Sequence, residues 1–313
     1  MAKHKIGIIG FGKIARDQHA PAITASSDFE LVGVSNLGSG AAPDGVPSFD
    51  SYAEMLKALP EVSAVAICTP PGPRRLIAAD CLSAGRHVLL EKPPAATVTE
   101  VRDIAVRSQL AGKVAYTSYH AQHNQAVKAA AGALAGKIVK TLTVNWKEDL
   151  RRWHPGQEWI LAAGGFGIFD PGINALSILT RILPGHIFVA KAVLSFPANR
   201  QAPIAASLTF ATGQVEGEQL TAEFDWRQIG PQIWEVKVET TDGLRLKLID
   251  GGAQLQIEGR PPLVGPPDEY SDIYRDFAEL INKAKSNVDA APFQLVADAF
   301  LLAERREVEA FAF

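Results

Sequence analysis

The sequence predicts a doubly wound parallel α/β sheet followed by an α+β domain with a large, mostly antiparallel sheet. Three observations carry that prediction. An apolar run, Ile6–Ile9, breaks into Gly10-Phe11-Gly12-Lys13-Ile14-Ala15 near the start of the chain. Residues 1–120 alternate short apolar runs with helical patterns, as parallel strands joined by crossover helices do. Beyond residue 120 a series of runs alternates apolar and polar residues, which fits antiparallel strands with one wet face. The expected domains are therefore 1–120 and 121–313.

Taken in order, the strands of the first domain are expected at Lys5–Ile9, Phe29–Ser35, Val46–Ser48, Ala64–Cys68, His87–Leu90 and Val114–Thr117. Helices are expected at Lys13–Thr24, Ser51–Ala58, Arg74–Ala84 and Thr97–Leu110, with Gly85 placed to end the third. In the second domain the alternating runs are Val139–Trp146, Ala190–Phe196, Ile204–Phe210, Leu220–Trp226, Gln232–Thr240, Leu244–Leu248 and Ala253–Ile257. Asp242-Gly243 and Gly251-Gly252 are hairpin-type turns between them. A helix at Pro171–Leu183 interrupts the series, Arg260–Pro267 is a proline-rich loop, and helices at Ser271–Lys285 and Pro292–Phe311 close the chain.

The glycine-rich step after the first strand is the dinucleotide fingerprint of a Rossmann domain. Gly10 permits the tight turn, Gly12 lets the backbone approach a pyrophosphate, and Ala15 keeps the following helix close to the strand. The helix then aims its N–H groups and positive dipole end at the phosphates. Gly10, Phe11, Gly12, Lys13 and Ile14 are thus expected to bind the cofactor. Residues ending the later strands of the same sheet join them: Ser35 and Asn36, Thr69 and Pro70, Glu91 and Lys92. The second strand ends in Ser35-Asn36-Leu37, with neither a ribose-binding carboxylate nor an arginine for a 2′-phosphate. No cation pairs the phosphate there, so NAD is the expected cofactor, with NADP also accepted.

Composition narrows the function further. The chain has 313 residues, of which 47% are apolar and 21% charged, as in a globular protein. A net charge of −3 without a basic run gives no footprint for nucleic acid or a membrane surface. No run approaches the ~18 apolar residues of a membrane span. The fingerprint starts too early to leave room for a cleavable leader. The two cysteines, Cys68 and Cys81, fit buried thiols in a reducing compartment, so a cytoplasmic location is expected.

Three further constellations carry chemistry. In His87-Val88-Leu89-Leu90-Glu91-Lys92-Pro93-Pro94 a strand runs straight into a lysine–proline step. Ligands of doubly wound sheets sit beyond the carboxyl ends of the strands. Lys92 there can hydrogen-bond a substrate hydroxyl; the plainer reading is a surface lysine in a turn. The Lys92–Pro93 bond is expected to be cis. The segment from Trp146 to Trp159 gathers three of the five tryptophans among carboxylates, arginines and His154. Flat rings beside hydrogen-bonding groups suit a polyhydroxylated ligand, and they equally suit an interface patch. The glycine-rich run Gly164–Gly167 enters a helix through Asp170-Pro171, where Asp170 reads as an ordinary cap. Asn174 shares its helix face and makes the pair competent for a substrate hydroxyl. His120 and His123 lack convergent partners, so no metal site is expected.

Together these residues resemble the Gfo/Idh/MocA (glucose–fructose oxidoreductase / inositol dehydrogenase) family, in order and spacing, over essentially the whole chain. The segments Trp146–Asp149, Arg151–Gln157 and Phe169–Ser177 look like those of its bacterial L-arabinose and D-galactose 1-dehydrogenases. The resemblance implies oxidation of C1 of an aldose to the aldonolactone with NAD(P)⁺. It implies Lys92, Asp170 and Asn174 as catalytic residues and Glu148, Trp153, His154 and His120 as sugar contacts. A homodimer through the sheet of the second domain is the expected assembly. Two departures matter. Most of the wider family has histidine where this chain has Asn174, and an amide cannot exchange protons near neutrality. Many relatives carry an arginine where this chain reads His120-Ala121-Gln122-His123-Asn124. The rival readings are a dehydrogenase of another polyol, such as inositol, and a dinucleotide sensor without turnover.

Overall fold

The computed structural model describes residues 3–35, 42–213 and 219–313. The chain divides into two compact units. The first comprises Met1–His120 with Asp268–Ala290, and the second Ala121–Pro267 with Ala291–Phe313.

Among the described residues six strands form the parallel sheet of the first unit: β1 (His4–Ile9), β2 (Phe29–Ser35), β3 (Ser48–Phe49), β4 (Ala64–Ile67), β5 (His87–Leu90) and β6 (Ala115–Thr117). Their order is β3-β2-β1-β4-β5-β6. The order reverses between β1 and β4, the position at which doubly wound sheets bind ligands. Helices Tyr52–Ala58, Pro71–Ser83 and Val98–Ala111 provide crossovers. Thr97 and Glu100 close the start of the last of these in a reciprocal capping box. The first crossover helix is irregular. It contains a π-turn at Ala15–His19 immediately before Ala20–Ala25. Pro21 lacks the N–H that a regular turn would donate to the carbonyl of Asp17, and the helix widens just ahead of it.

The expectation that 121–313 forms one second domain differs from the structure in one stretch. Helix Glu269–Asn282 contributes Tyr270, Ile273, Tyr274 and Phe277 to the core that also holds Ile6, Ile8, Phe29 and Tyr116. The Phe29 and Phe277 rings stack at 5.6 Å. Asn287 then bonds to the backbone of Ala115 and Thr117, extending the sheet past β6. A four-residue apolar spacing thus docks a late helix on the early core.

The second unit is built, among the described residues, on nine strands: β7 (Val139–Lys147), β8 (Phe188–Pro197), β9 (Ala205–Ala211), β10 (Gln219–Asp225), β11 (Ile233–Thr240), β12 (Arg245–Ile249), β13 (Gln254–Ile257), β14 (Leu263–Val264) and β15 (Ala303–Val308). Their order is β14-β13-β12-β11-β7-β10-β9-β8-β15. Pairing is antiparallel except for β7 with β10 and β8 with β15. Alternation in β7 and β10 buries Leu142, Val144, Trp146, Leu220, Ala222 and Phe224. Helix Phe169–Ile182 approaches so closely that a Cβ on Gly172 would lie 3.2 Å from the Phe224 ring.

Two expectations for the closing segments are corrected. The helix expected over Pro292–Phe311 covers Ala291–Leu302 only, and Ala303–Val308 is a parallel edge strand on β8. The loop expected at Arg260–Pro267 includes the two residues of β14. Among the described residues no helix is long and apolar enough to cross a membrane.

Candidate active site

In the first unit the turn after β1 has the geometry a dinucleotide needs. Gly10 has φ +86°, and a Cβ there would lie 2.8 Å from the backbone nitrogen of Thr69. A Cβ on Gly12 would meet nothing within 4 Å, so the backbone faces open space. This is the cradle a side chain would fill and a pyrophosphate can use. Phe11 is buried in the core, which leaves its backbone for ligand contact, while Lys13 and Ile14 are exposed. Pro70 is exposed and Thr69 is buried. Ser35, expected to meet the ribose, is fully buried with its Oγ unpaired among the described residues. Asn36 lies outside the described residues.

Glu91 differs from its expected place among the cofactor contacts. Its side chain turns inward, 3% exposed. Tyr270 Oη donates to Oε1 at 2.8 Å, His19 Nε2 lies 3.1 Å from the same oxygen, and the backbone N–H of Lys92 donates to Oε2 at 2.8 Å. His19 Nδ1 is 2.7 Å from Tyr274 Oη. Burial raises the cost of charge on both partners, yet each side chain favours the charged form of the other across the 3.1 Å contact. For His19, burial is outweighed by the Cys68 and Tyr274 side chains and the bond to Glu91, which hold it well above the ordinary histidine value. For Glu91, burial is outweighed by His19, with His120 and Lys92 adding to it, and the carboxyl falls to about 2. Arg74, also buried, donates to the carbonyls of Thr69, Glu91 and Pro93. Lys92 itself is half-buried, and Lys92–Pro93 is cis. His120 stacks on Tyr270 at 5.9 Å.

In the second unit topology gathers residues far apart in sequence. Glu148 follows β7 and Trp226 follows β10, its parallel neighbour, so both stand at one end of the sheet. Trp234 lies near the start of β11, opposite Trp146 of β7. Side chains two residues apart on a strand share a face, which puts Glu148 on the face of Trp146. Glu148 is 5% exposed and accepts two indole N–H bonds, from Trp226 to Oε1 at 2.9 Å and from Trp234 to Oε2 at 2.7 Å. The Trp226 ring packs against His154 at 5.3 Å. His154 Nε2 is 3.5 Å from Asp170 Oδ2. The run Glu148–Trp226–His154–Asp170 is therefore continuous. Trp153 is 40% exposed and meets Trp234 edge-on at 5.6 Å.

The capping role expected for Asp170 is corrected. The helix starts at Phe169, its N-cap is Ile168, and that cap makes no side-chain bond. Asp170 is a buried carboxylate inside the first turn, where the helix dipole favours negative charge. One turn on, Asn174 Oδ1 is buried without a hydrogen-bond partner among the described residues.

The sequence profile of an oxidoreductase family with an NAD-binding Rossmann fold, GFO/IDH/MocA, matches residues 4–120. Over 307 residues, 98% of each chain, the sequence is 42% identical to galactose 1-dehydrogenase of Pseudomonas fluorescens. The chain belongs to the GFO/IDH/MocA family. The crystal structure of D-galactose-1-dehydrogenase from Rhizobium etli superposes with a TM-score of 0.91 at 46% identity, covering 100% of this chain and 99% of that one. The 3-ketoreductase KijD10 from Actinomadura kijaniata, solved with NADP and TDP-benzene, shares the fold at a TM-score of 0.82 and 17% identity, over 98% of this chain and 100% of its own.

Against this GFO/IDH/MocA frame, sequence reasoning found Glu148, His154 and Asp170, and the structure brings them together. It missed Trp226 and Trp234, read only as strand residues, and the buried pair of His19 with Glu91. Tyr270 and Tyr274 did carry a signal, since they stand four apart on one helix face.

Proposed function

We propose that this chain is an aldose 1-dehydrogenase, oxidising C1 of a pyranose of the D-galactose and L-arabinose type to the aldonolactone. The observation that carries the reading is the near-full-length similarity to galactose 1-dehydrogenases. The constellation at Asp170 agrees with it, because it pairs a buried carboxylate with aromatic and hydrogen-bonding neighbours.

NAD⁺, when bound, supplies the acceptor for the hydride leaving C1. The turn Gly10–Ile14 would hold its pyrophosphate through backbone N–H groups. Asp170 takes the proton from O1 as general base. Lys92 offers its ammonium to the developing alkoxide. Asn174 orients the reacting hydroxyl, while Glu148, His154 and the face of Trp153 hold the remaining hydroxyls and C–H surface. His120 is a further sugar contact. NAD is preferred, since Ser35-Asn36-Leu37 offers no cation to a 2′-phosphate. The chain works as a homodimer in the cytoplasm, on a small-molecule sugar.

Initial rates at 340 nm decide this. D-galactose, L-arabinose and D-fucose should turn over with NAD⁺, D-glucose more slowly, and myo-inositol not at all. Equal kcat/KM for glucose and galactose overturns the substrate class, since unpaired polar groups should reject the C4 epimer. Activity on inositol alone overturns the reaction. Efficiency at least tenfold higher with NADP⁺ overturns the cofactor preference.

A further inference from the structure

We infer that His19 is a positioning residue for Lys92, acting through the carboxylate of Glu91. The inference rests on the proposed role of Lys92 toward the substrate alkoxide.

Glu91 uses both oxygens in different directions. Oε1 is held by His19 and Tyr270, while Oε2 accepts the backbone N–H of Lys92. The carboxylate is thus a bridge from the buried imidazole of His19 to the backbone of Lys92, the residue assigned to the substrate alkoxide. From the other side, Arg74 grips the carbonyls of Glu91 and Pro93 that flank Lys92. The backbone at Lys92 is therefore fixed by two buried groups, leaving only its side-chain torsions to adjust. Positional error at a catalytic group is expensive: a misplacement of about 1 Å can cost on the order of 10²-fold in rate.

His19 is itself placed by the fold. It ends the π-turn, fully buried, with one ring nitrogen toward Tyr274 and the other toward Glu91. A buried carboxylate that loses a hydrogen-bonding histidine either takes up a proton or relocates toward another donor. Either response alters the acceptor at Lys92 N–H. Nothing else in the proposed chemistry uses His19. Its position 72 residues from Glu91 in sequence is explained by the bond it makes.

The test uses the full-length protein with D-galactose and NAD⁺. H19Q should lower kcat at least tenfold, while the galactose KM and the Kd for NADH stay within about threefold. Y270F leaves the His19 contact but removes the second donor to Oε1, and should lower kcat by about two- to fivefold with unchanged NADH binding. A parent-like kcat in both variants overturns the inference. So does a loss of NADH affinity in step with kcat, which marks a merely structural role. If H19Q does not fold, Y270F decides by the same criteria. K92A separates this from the reading beneath it. Parent-like turnover in K92A overturns the role of Lys92, whereas inactive K92A beside parent-like H19Q and Y270F overturns only the role of His19.

Discussion

Asp170 Oδ2 lies 3.5 Å from His154 Nε2, and the carboxylate is only 6% exposed although it sits in the first turn of a helix. Because Ile168 rather than Asp170 is the N-cap, replacing the carboxylate with an amide removes basicity without removing a cap. Loss of the favourable dipole interaction should cost only about 0.3–1 kcal/mol of stability. Turnover is another matter, since losing a general base costs roughly 10²–10⁴ in rate. D170N is expected to fold, to bind NADH within about threefold of the parent, and to lose at least two orders of magnitude in kcat. Turnover within threefold of the parent would show that another group takes the proton.

Glu148 is the shared acceptor of two indoles. E148Q keeps its shape but turns one acceptor oxygen into an NH₂ group facing an indole N–H. Two donors then oppose each other in a buried place, at a cost of about 1–3 kcal/mol. The melting temperature should fall by several degrees, and kcat/KM for galactose should fall at least tenfold. NADH affinity, which we propose to reside in the turn after β1, should not change. A variant with parent stability would mean that the two indole bonds contribute nothing net.

Gly10 and Gly12 look equivalent in the fingerprint, yet the structure separates them. At Gly10 a methyl group collides with the Thr69 backbone at 2.8 Å, and φ is +86°. G10A should therefore be destabilised and poorly recovered. At Gly12 the added Cβ meets nothing within 4 Å. G12V should fold with a parent-like melting temperature and lose at least tenfold in NADH affinity, read by fluorescence titration. NADH binding that survives in G12V would remove the pyrophosphate from this turn.

The legible parts of this chain were those set by local periodicity. The strand at Phe29–Ser35 is bounded as its apolar pattern predicts. The turn at Gly10 follows from two glycines after a buried run. Ala303–Val308 was not legible, because Ala-Glu-Arg-Arg-Glu-Val is as compatible with a helix as with a strand. Its register along β8, more than 100 residues earlier, decides the matter. The site shows the same division. Glu148, His154 and Asp170 were singled out by residue type and company, but the indoles that fix Glu148 stand 78 and 86 residues away. Glu91 was read as a cofactor contact because it stands at the end of a strand of the parallel sheet, whereas the fold turns it toward His19. Alternation along a strand predicts which face a residue takes, not which distant residue meets it there.

His87 gives a prediction about pH. Burial, followed by the nearby Lys113 and His4, lowers its pKa to about 4, and its Nδ1 accepts the backbone N–H of Val114 at 2.9 Å. Protonation at Nδ1 forfeits that bond. Because the folded-state pKa lies below the ordinary value near 6.5, the unfolded chain binds the proton first as pH falls. Stability therefore declines between pH 6.5 and about 4, and this group contributes no slope above that window. Glu91 works in a lower window with the opposite origin. Its depressed pKa adds stability above the ordinary carboxylate value, which is lost as pH falls toward about 2. H87N retains an acceptor for Val114 but cannot titrate. Urea midpoints at pH 7.5, 6.5, 5.5 and 4.5 should run parallel for parent and variant at the upper two values. Below them the parent should fall more steeply. Equal slopes down to pH 4.5 would mean that His87 takes up its proton in the folded protein as readily as in the unfolded chain.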